Sequence, residues 1–206
     1  MNFKYTISYN DLENETSLNN ATEIAIDGEF NGLDVQTCSL NLLQLNDGSD
    51  HVYFVKFEGD YNSPNLKKIL ESTKIKKIFH FGRADLGFIR KHLNINVKNI
   101  FDTKIASKIS RKYTSSHGLK DLCSDLLNIK LKKDAQSSDW GKPWDDYSED
   151  MISYAGSDVI YLHRIKKELE KILIRENKHE LAEKCFQLLE TRTDLDLCGL
   201  GDIFEH

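Results

Sequence analysis

A chain of 206 residues, 39% hydrophobic and 30% charged, is long enough to bury a core in one domain without disulfide staples. Its 28 Lys and Arg against 33 Asp and Glu leave a net charge of -5, which argues against charge-driven coating of nucleic acid but not against a nucleic-acid substrate held at a locally basic surface. No run approaches the ~20 apolar residues of a membrane span. The segment Met1-Asn2-Phe3-Lys4-Tyr5 lacks the apolar core of a signal peptide, and Cys38, Cys123, Cys185 and Cys198 are too scattered for a zinc ribbon or a CxxC redox pair, so the expectation is a reduced, cytoplasmic protein with no membrane contact.

In chain order, residues 23–27 read as a short buried strand. Residues 38–46 alternate apolar and polar, Asn46-Asp47-Gly48-Ser49-Asp50 is a turn cluster, and 51–57 return as a second strand, which makes a hairpin. Ser63-Pro64 opens a helix, with Ser as N-cap and Pro at the first helical position. A strand over 76–81 precedes a helix over 85–93, and a short strand over 100–102 feeds a helix over 103–111. Leu119, Leu122, Cys123, Leu126 and Leu127 have helical spacing. Ser148, followed by Glu149 and Asp150, caps a helix that can run from 151 to 173, and a last helix spans about 179–190. A hairpin followed by alternating strands and helices predicts an α/β fold: a mixed central sheet flanked by helices, with a helical C-terminal half.

Three separated segments carry chemistry. Asp27 and Glu29 are two apart, so on an extended strand both carboxylates point to one side. Asp85 stands where a strand passes into a helix. Tyr154 and Asp158 are four apart and share a helix face. Four carboxylates and a phenol are the ligand set that two hard divalent cations, Mg2+ or Mn2+, need to work on a phosphodiester. Single residues have plainer readings: His80 as a packed histidine in an apolar strand, His117 as structural, and Asp102 as either a helix cap or a support for the site. The basic runs 74–77 and 130–133 read as solvated faces, with Arg83, Lys120 and Lys142 closer to the motifs and better placed for phosphate.

Motifs in this order resemble the DEDD 3′–5′ exonuclease superfamily and, within it, ribonuclease D. The resemblance rests on Asp27-Gly28-Glu29, on Asp85 at the end of His80-Phe81-Gly82-Arg83-Ala84-Asp85, and on Tyr154 to Asp158. It is extended by Phe101-Asp102-Thr103, His117-Gly118-Leu119-Lys120-Asp121-Leu122 and Ser137-Ser138-Asp139-Trp140. Tyr154, with Ser153 before it, matches the tyrosine branch. The resemblance covers residues 20–175. It implies a ribonuclease H-like fold and a metal-dependent 3′–5′ exoribonuclease that releases 5′-mononucleotides from a single-stranded RNA end. Asp27, Glu29, Asp85 and Asp158 would be the metal ligands, with Tyr154 positioning the attacking water and helping to take its proton. Leu33 falls at the family's wedge against the terminal base, and Phe30, Phe81, Arg83 and Trp140 are further substrate-binding candidates. The chain departs from the family where many members carry Asn (here Phe81) and an aromatic (here Ala84), which bears on how the terminal nucleotide is seated. The expectation is one exonuclease domain over 1–206, with a helical extension from 176 and no further helical nucleic-acid-binding domain. A DNA 3′–5′ exonuclease and a catalytically silent nucleic-acid-binding module are the alternatives. Oligomeric state is left open, with 194–200 packing on the domain or on a second copy.

Overall fold

The computed structural model describes residues 3–14, 16–131, 138–201 and 203; Ser137 and the basic pair Lys132-Lys133 lie outside them. Six strands form one sheet in the order β1-β4-β3-β2-β5-β6: β1 (Lys4–Tyr9), β2 (Glu23–Phe30), β3 (Leu40–Asn46), β4 (His51–Lys56), β5 (Lys76–Phe79) and β6 (Ile100–Asp102). The pairs β2/β3 and β3/β4 are antiparallel, and β1/β4, β2/β5 and β5/β6 are parallel. Among the described residues seven α-helices surround it: α1 (Pro64–Leu70), α2 (Arg83–Leu93), α3 (Thr103–Ser110), α4 (Leu119–Leu127), α5 (Glu149–Ile160), α6 (Leu162–Arg175) and α7 (His179–Leu197). The expected mixed sheet, helices and helical second half are all present, and the fold is ribonuclease H-like.

The alternation of β2 sorts the molecule into two cores. Ile24 and Ile26 face Leu86, Phe88 and Ile89 of α2, while Ala25 between them faces Ala155 and Val159 of α5. Two-residue periodicity then carries Asp27 and Glu29 onto the Ala25 face, under α5. Ser148 Oγ accepts the Met151 amide at 3.3 Å, so the expected N-cap of the tyrosine-bearing helix is in place.

Several local expectations need correction. Strand β2 does not end at Asp27 but continues to Phe30, with a bulge at Glu29/Phe30 where the pairing to β3 slips by one residue. Bulges re-aim side chains, and this one lies at the site. Strand β3 is buried along its whole length despite its apolar-polar alternation, because β2 and β4 flank it and both faces are covered. The single helix over 151–173 is two, α5 and α6, divided at Tyr161. Ser63 precedes α1 but its hydroxyl bonds the Asn10 carbonyl, and the first α1 amides, Asn65 and Leu66, are instead capped by the Asp11 carboxylate at 2.9 Å each. The C-terminal segment packs on its own domain: Arg83 pairs with Asp196 at 2.6 Å, and Gln36 Nε2 donates to the Leu197 carbonyl at 3.0 Å.

Strand β1 was not expected at all. It pairs in parallel with β4, and Phe3 just before it lies over Gly156, where an added Cβ would stand 2.0 Å from the ring. The N-terminus thus buttresses α5 between Tyr154 and Asp158. Gly156→Ala is expected to destabilise the protein by ~1–3 kcal/mol through overpacking. Thermal unfolding checks it, and in the double variant Phe3→Ala/Gly156→Ala the clash penalty should vanish.

Candidate active site

Carboxylate oxygens of Asp27, Glu29 and Asp158 come within 4.8 Å of one another at the floor of a cleft of about 630 Å3 that also contains Asp85 and Tyr154. Three separated segments therefore converge as their motifs implied.

Asp85 reaches this group from the opposite side of the sheet. It sits in the first turn of α2 and is buried, and its Oδ1 stands 3.0 Å from where a Gly28 Cβ would be. A side chain at 28 would crowd both this carboxylate and the Phe30 ring, which also stands 3.0 Å from that Cβ position, so glycine leaves room for Asp85 to approach. Asp102 holds the start of α2 in place. Its Oδ2 accepts the Gly82 amide at 2.8 Å while its Oδ1 accepts the Ile105 amide at 2.9 Å, so it caps α3 and supports the Asp85 turn together.

The cluster is electrostatically uncomfortable as it stands. Burial pushes the Asp27 carboxyl up to about 7, with the Gly28 N–H opposing the rise. Glu29, Asp85 and Asp158 are driven well above the ordinary carboxylate range, first by burial and then by the charge of Asp27, with Asp158 and Asp85 adding to the rise at Glu29. Relief comes from hydrogen bonds: Gln44 Nε2 donates to Glu29 at 3.2 Å, Tyr154 hydrogen-bonds Asp158, and the backbone amides of Gly28 and Asp85 oppose the rise at Asp85. Among the described residues no Lys, Arg or His stands at ion-pair distance from any of the four. Buried like charges without a cationic partner are what a metal-binding cleft requires, so the donor set fits divalent cations.

Burial and the charges of Asp158, Glu29 and Asp27 also push the Tyr154 phenol far above its usual value. The phenol shares a hydrogen bond with the Asp158 carboxylate.

Among the substrate-binding candidates, Leu33 is 88% exposed at the cleft rim. Phe30 stacks on Phe88 with ring centroids 3.9 Å apart and lines the cleft. Phe81 also lines it, 47% exposed, with φ 63. Asn adopts that left-handed conformation more readily than a bulky residue, so the backbone at Phe81 is held there at a cost. Trp140 is only 2% exposed and tilts against Tyr154, with centroids 6.2 Å apart. Arg83 is not brought to the cleft. The α2 turn that aims Asp85 inward aims the Arg83 guanidinium outward to Asp196, with bonds of 2.6 and 2.7 Å.

Lys120 lines the cleft as anticipated, and Lys104, which sequence reasoning missed, stands with Nζ 3.9 Å from the Phe81 ring centroid. Its only signal was its place in the first turn after Asp102. His80 is a packed histidine: Nδ1 bonds Thr103 Oγ1 at 2.9 Å, and burial, aided by Lys104, pulls its pKa down to about 3. His117 bonds Ser107 at 2.8 Å and is structural.

A fold of this kind with an acidic cleft of this composition defines a nuclease of the DEDD type, and comparison with known proteins gives the family. The 3'-5' exonuclease family model matches residues 8–174, and the chain belongs to that family. It is 30% identical over 152 residues to ribonuclease D of Haemophilus influenzae, covering 72% of this chain but 37% of that protein. DNA polymerase I of Aquifex aeolicus is 28% identical over 195 residues, 94% of this chain and 31% of the polymerase. The chain thus spans well under half the length of these curated relatives. Brucella melitensis NrnC matches at full length: TM-score 0.92, 40% identity and 98% of both chains covered. NrnC has also been solved with bound Mg2+ and bound to pGG.

Proposed function

We propose that this protein is a metal-dependent 3′–5′ exoribonuclease of the tyrosine branch, releasing 5′-mononucleotides from single-stranded RNA ends in the cytoplasm. The observation that carries the reading is the set of four buried or half-buried carboxylates without a cationic partner, placed under the Tyr154 phenol. The Mg2+ and pGG bound by NrnC support both the cation and the short RNA end as ligands.

Asp27, Glu29, Asp85 and Asp158 would hold two divalent cations, Mg2+ or Mn2+. Bound there, the cations would supply Lewis-acid stabilisation of charge on the attacking and leaving oxygens of the phosphodiester. Tyr154, anchored to Asp158, orients the attacking water. Gln44 fixes the rotamer of Glu29. Leu33 and Phe30 offer apolar surface to the terminal base, and Lys104 and Lys120 offer positive charge to the strand's phosphates. No described helix is long and apolar enough to cross a membrane.

The second reading, a DNA exonuclease of the same fold, is favoured by the match to DNA polymerase I over 94% of the chain. Contacts to the 2′-OH separate the two. With 5′-labelled single-stranded RNA, matched DNA and pGG, in Mn2+ and then in EDTA, we expect a stepwise ladder on RNA, cleavage of pGG, and loss of both in EDTA. Equal or faster digestion of DNA would transfer the assignment to the second reading. No cleavage of any of the three would reject the enzyme in favour of a silent nucleic-acid-binding module.

A further inference from the structure

The end of β4 carries a charged residue that the core does not require. Lys56 is 2% exposed, yet among the described residues no carboxylate lies at ion-pair distance from its ammonium. Its Nζ donates to the Trp140 carbonyl at 2.8 Å and stands 5.3 Å from the Tyr147 ring centroid. The same carbonyl accepts the Tyr147 hydroxyl at 2.6 Å. Trp140 therefore has two donors on one oxygen, and removal of either would leave it satisfied. Burying an ammonium without a paired charge is costly, and an apolar residue at 56 would be better tolerated by the sheet. Burial lowers the Lys56 pKa, while Glu58 and Asp139 act to raise it.

What the double anchor secures is the Trp140 ring. It packs edge-on against Tyr147, with centroids 5.6 Å apart, and it also meets the Tyr154 ring, with centroids 6.2 Å apart. Tyr154 carries a hydroxyl bonded to Asp158 and sits half-buried in the cleft. A line of contact thus runs from Lys56 through Trp140 to the phenol. We infer that Lys56 is a positioning residue for the reaction: by clamping the Trp140 carbonyl from within the sheet, it fixes the ring that sets the orientation of Tyr154.

This inference rests on the exonuclease reading for its kinetic consequence but not for its structural one. The test is Lys56→Met, which keeps the side chain's length and removes the charge. We expect kcat on RNA to fall about tenfold while KM changes less than about twofold, since small misplacements of a reacting group are felt in turnover. The melting temperature should equal or exceed the wild-type value, because a buried unpaired charge is removed. Tyr147→Phe, which deletes the other donor, should lower kcat in the same way. In a Tyr154→Phe background Lys56→Met should have no further effect, because the two act through one group. An unchanged kcat, a loss that adds in full to that of Tyr154→Phe, or a loss that follows a falling melting temperature would each overturn the assignment. The Tyr154 ring 13C resonance, identified by its disappearance in Tyr154→Phe, should shift in Lys56→Met. That readout holds even if RNA proves not to be a substrate, and an unmoved resonance would also overturn the assignment.

Discussion

Replacing Asp27 with asparagine is expected to silence cleavage while making the metal-free protein more stable. Activity should drop on the order of a thousandfold or more, because one member of a ligand set acting as a unit is lost. Stability should rise by ~1–2 kcal/mol, the usual direction when a strained functional group is relaxed. The pH dependence follows from the same carboxylate. In the unfolded chain it titrates near 3.8, and in the fold burial raises it to about 7. Between these values the folded state holds a proton that the unfolded state has lost. The folded state binds more protons, so stability falls as pH rises through this window. Thermal unfolding in EDTA should therefore show wild-type protein losing stability from about pH 4 to pH 7, with a shallower loss in Asp27→Asn. Added Mg2+ should restore the wild type above pH 7, and its effect should weaken below pH 7, where protons compete with the cation. A variant as active as wild type, or as pH-sensitive in EDTA, would defeat the assignment of Asp27 to the cation site.

Tyr154→Phe should lower kcat by about two to three orders of magnitude, the range for a group that positions a proton-bearing nucleophile. The ring keeps its contact with Trp140 and only the hydroxyl bonded to Asp158 is lost. Cation binding should therefore survive nearly intact, read as an unchanged rise in melting temperature on adding Mg2+. A fall in kcat with constant KM marks an interaction made in the transition state. A wild-type kcat would remove Tyr154 from the mechanism, and a lost Mg2+ response would recast it as a support for the metal site.

The family comparison and the geometry bear differently on the residues chosen from the sequence. Membership in the 3'-5' exonuclease family accounts for the order of the motifs, and the convergence of Asp27, Glu29, Asp85, Tyr154 and Asp158 in one cleft is what that order implied. These positions were readable because each rests on a short-range rule: two-residue spacing on a strand, four-residue spacing on a capped helix, an acid at a strand-to-helix turn. Arg83 misled for the same reason. Its nearness to Asp85 in sequence says nothing of which way a helix turn faces, and two residues along a helix point well apart. Lys104 and Gln44 went unnoticed because no local pattern marks them. One is a lysine in a first helical turn and the other a glutamine in a strand buried on both faces.

Strand β1, the break at Tyr161 and the capping of α1 by Asp11 were hidden for a related reason. Each depends on contacts between residues far apart in the chain, where propensity is weak and packing decides. The helix over 151–173 has an unbroken helical pattern, and nothing in it announces the division. The register slip at Glu29/Phe30 belongs to the same class.

Local periodicity and motif order were enough to reach an α/β fold and to single out the acids that meet in one cleft, because those features are written in spacings of two to five residues. Only the tertiary structure decided that Asp85 approaches across Gly28, that Arg83 turns away to Asp196, and that a buried lysine on β4 clamps the loop beside Tyr154. These depend on which faces meet in the packed core, and side-chain identity at one position does not specify the distant neighbour that will oppose it.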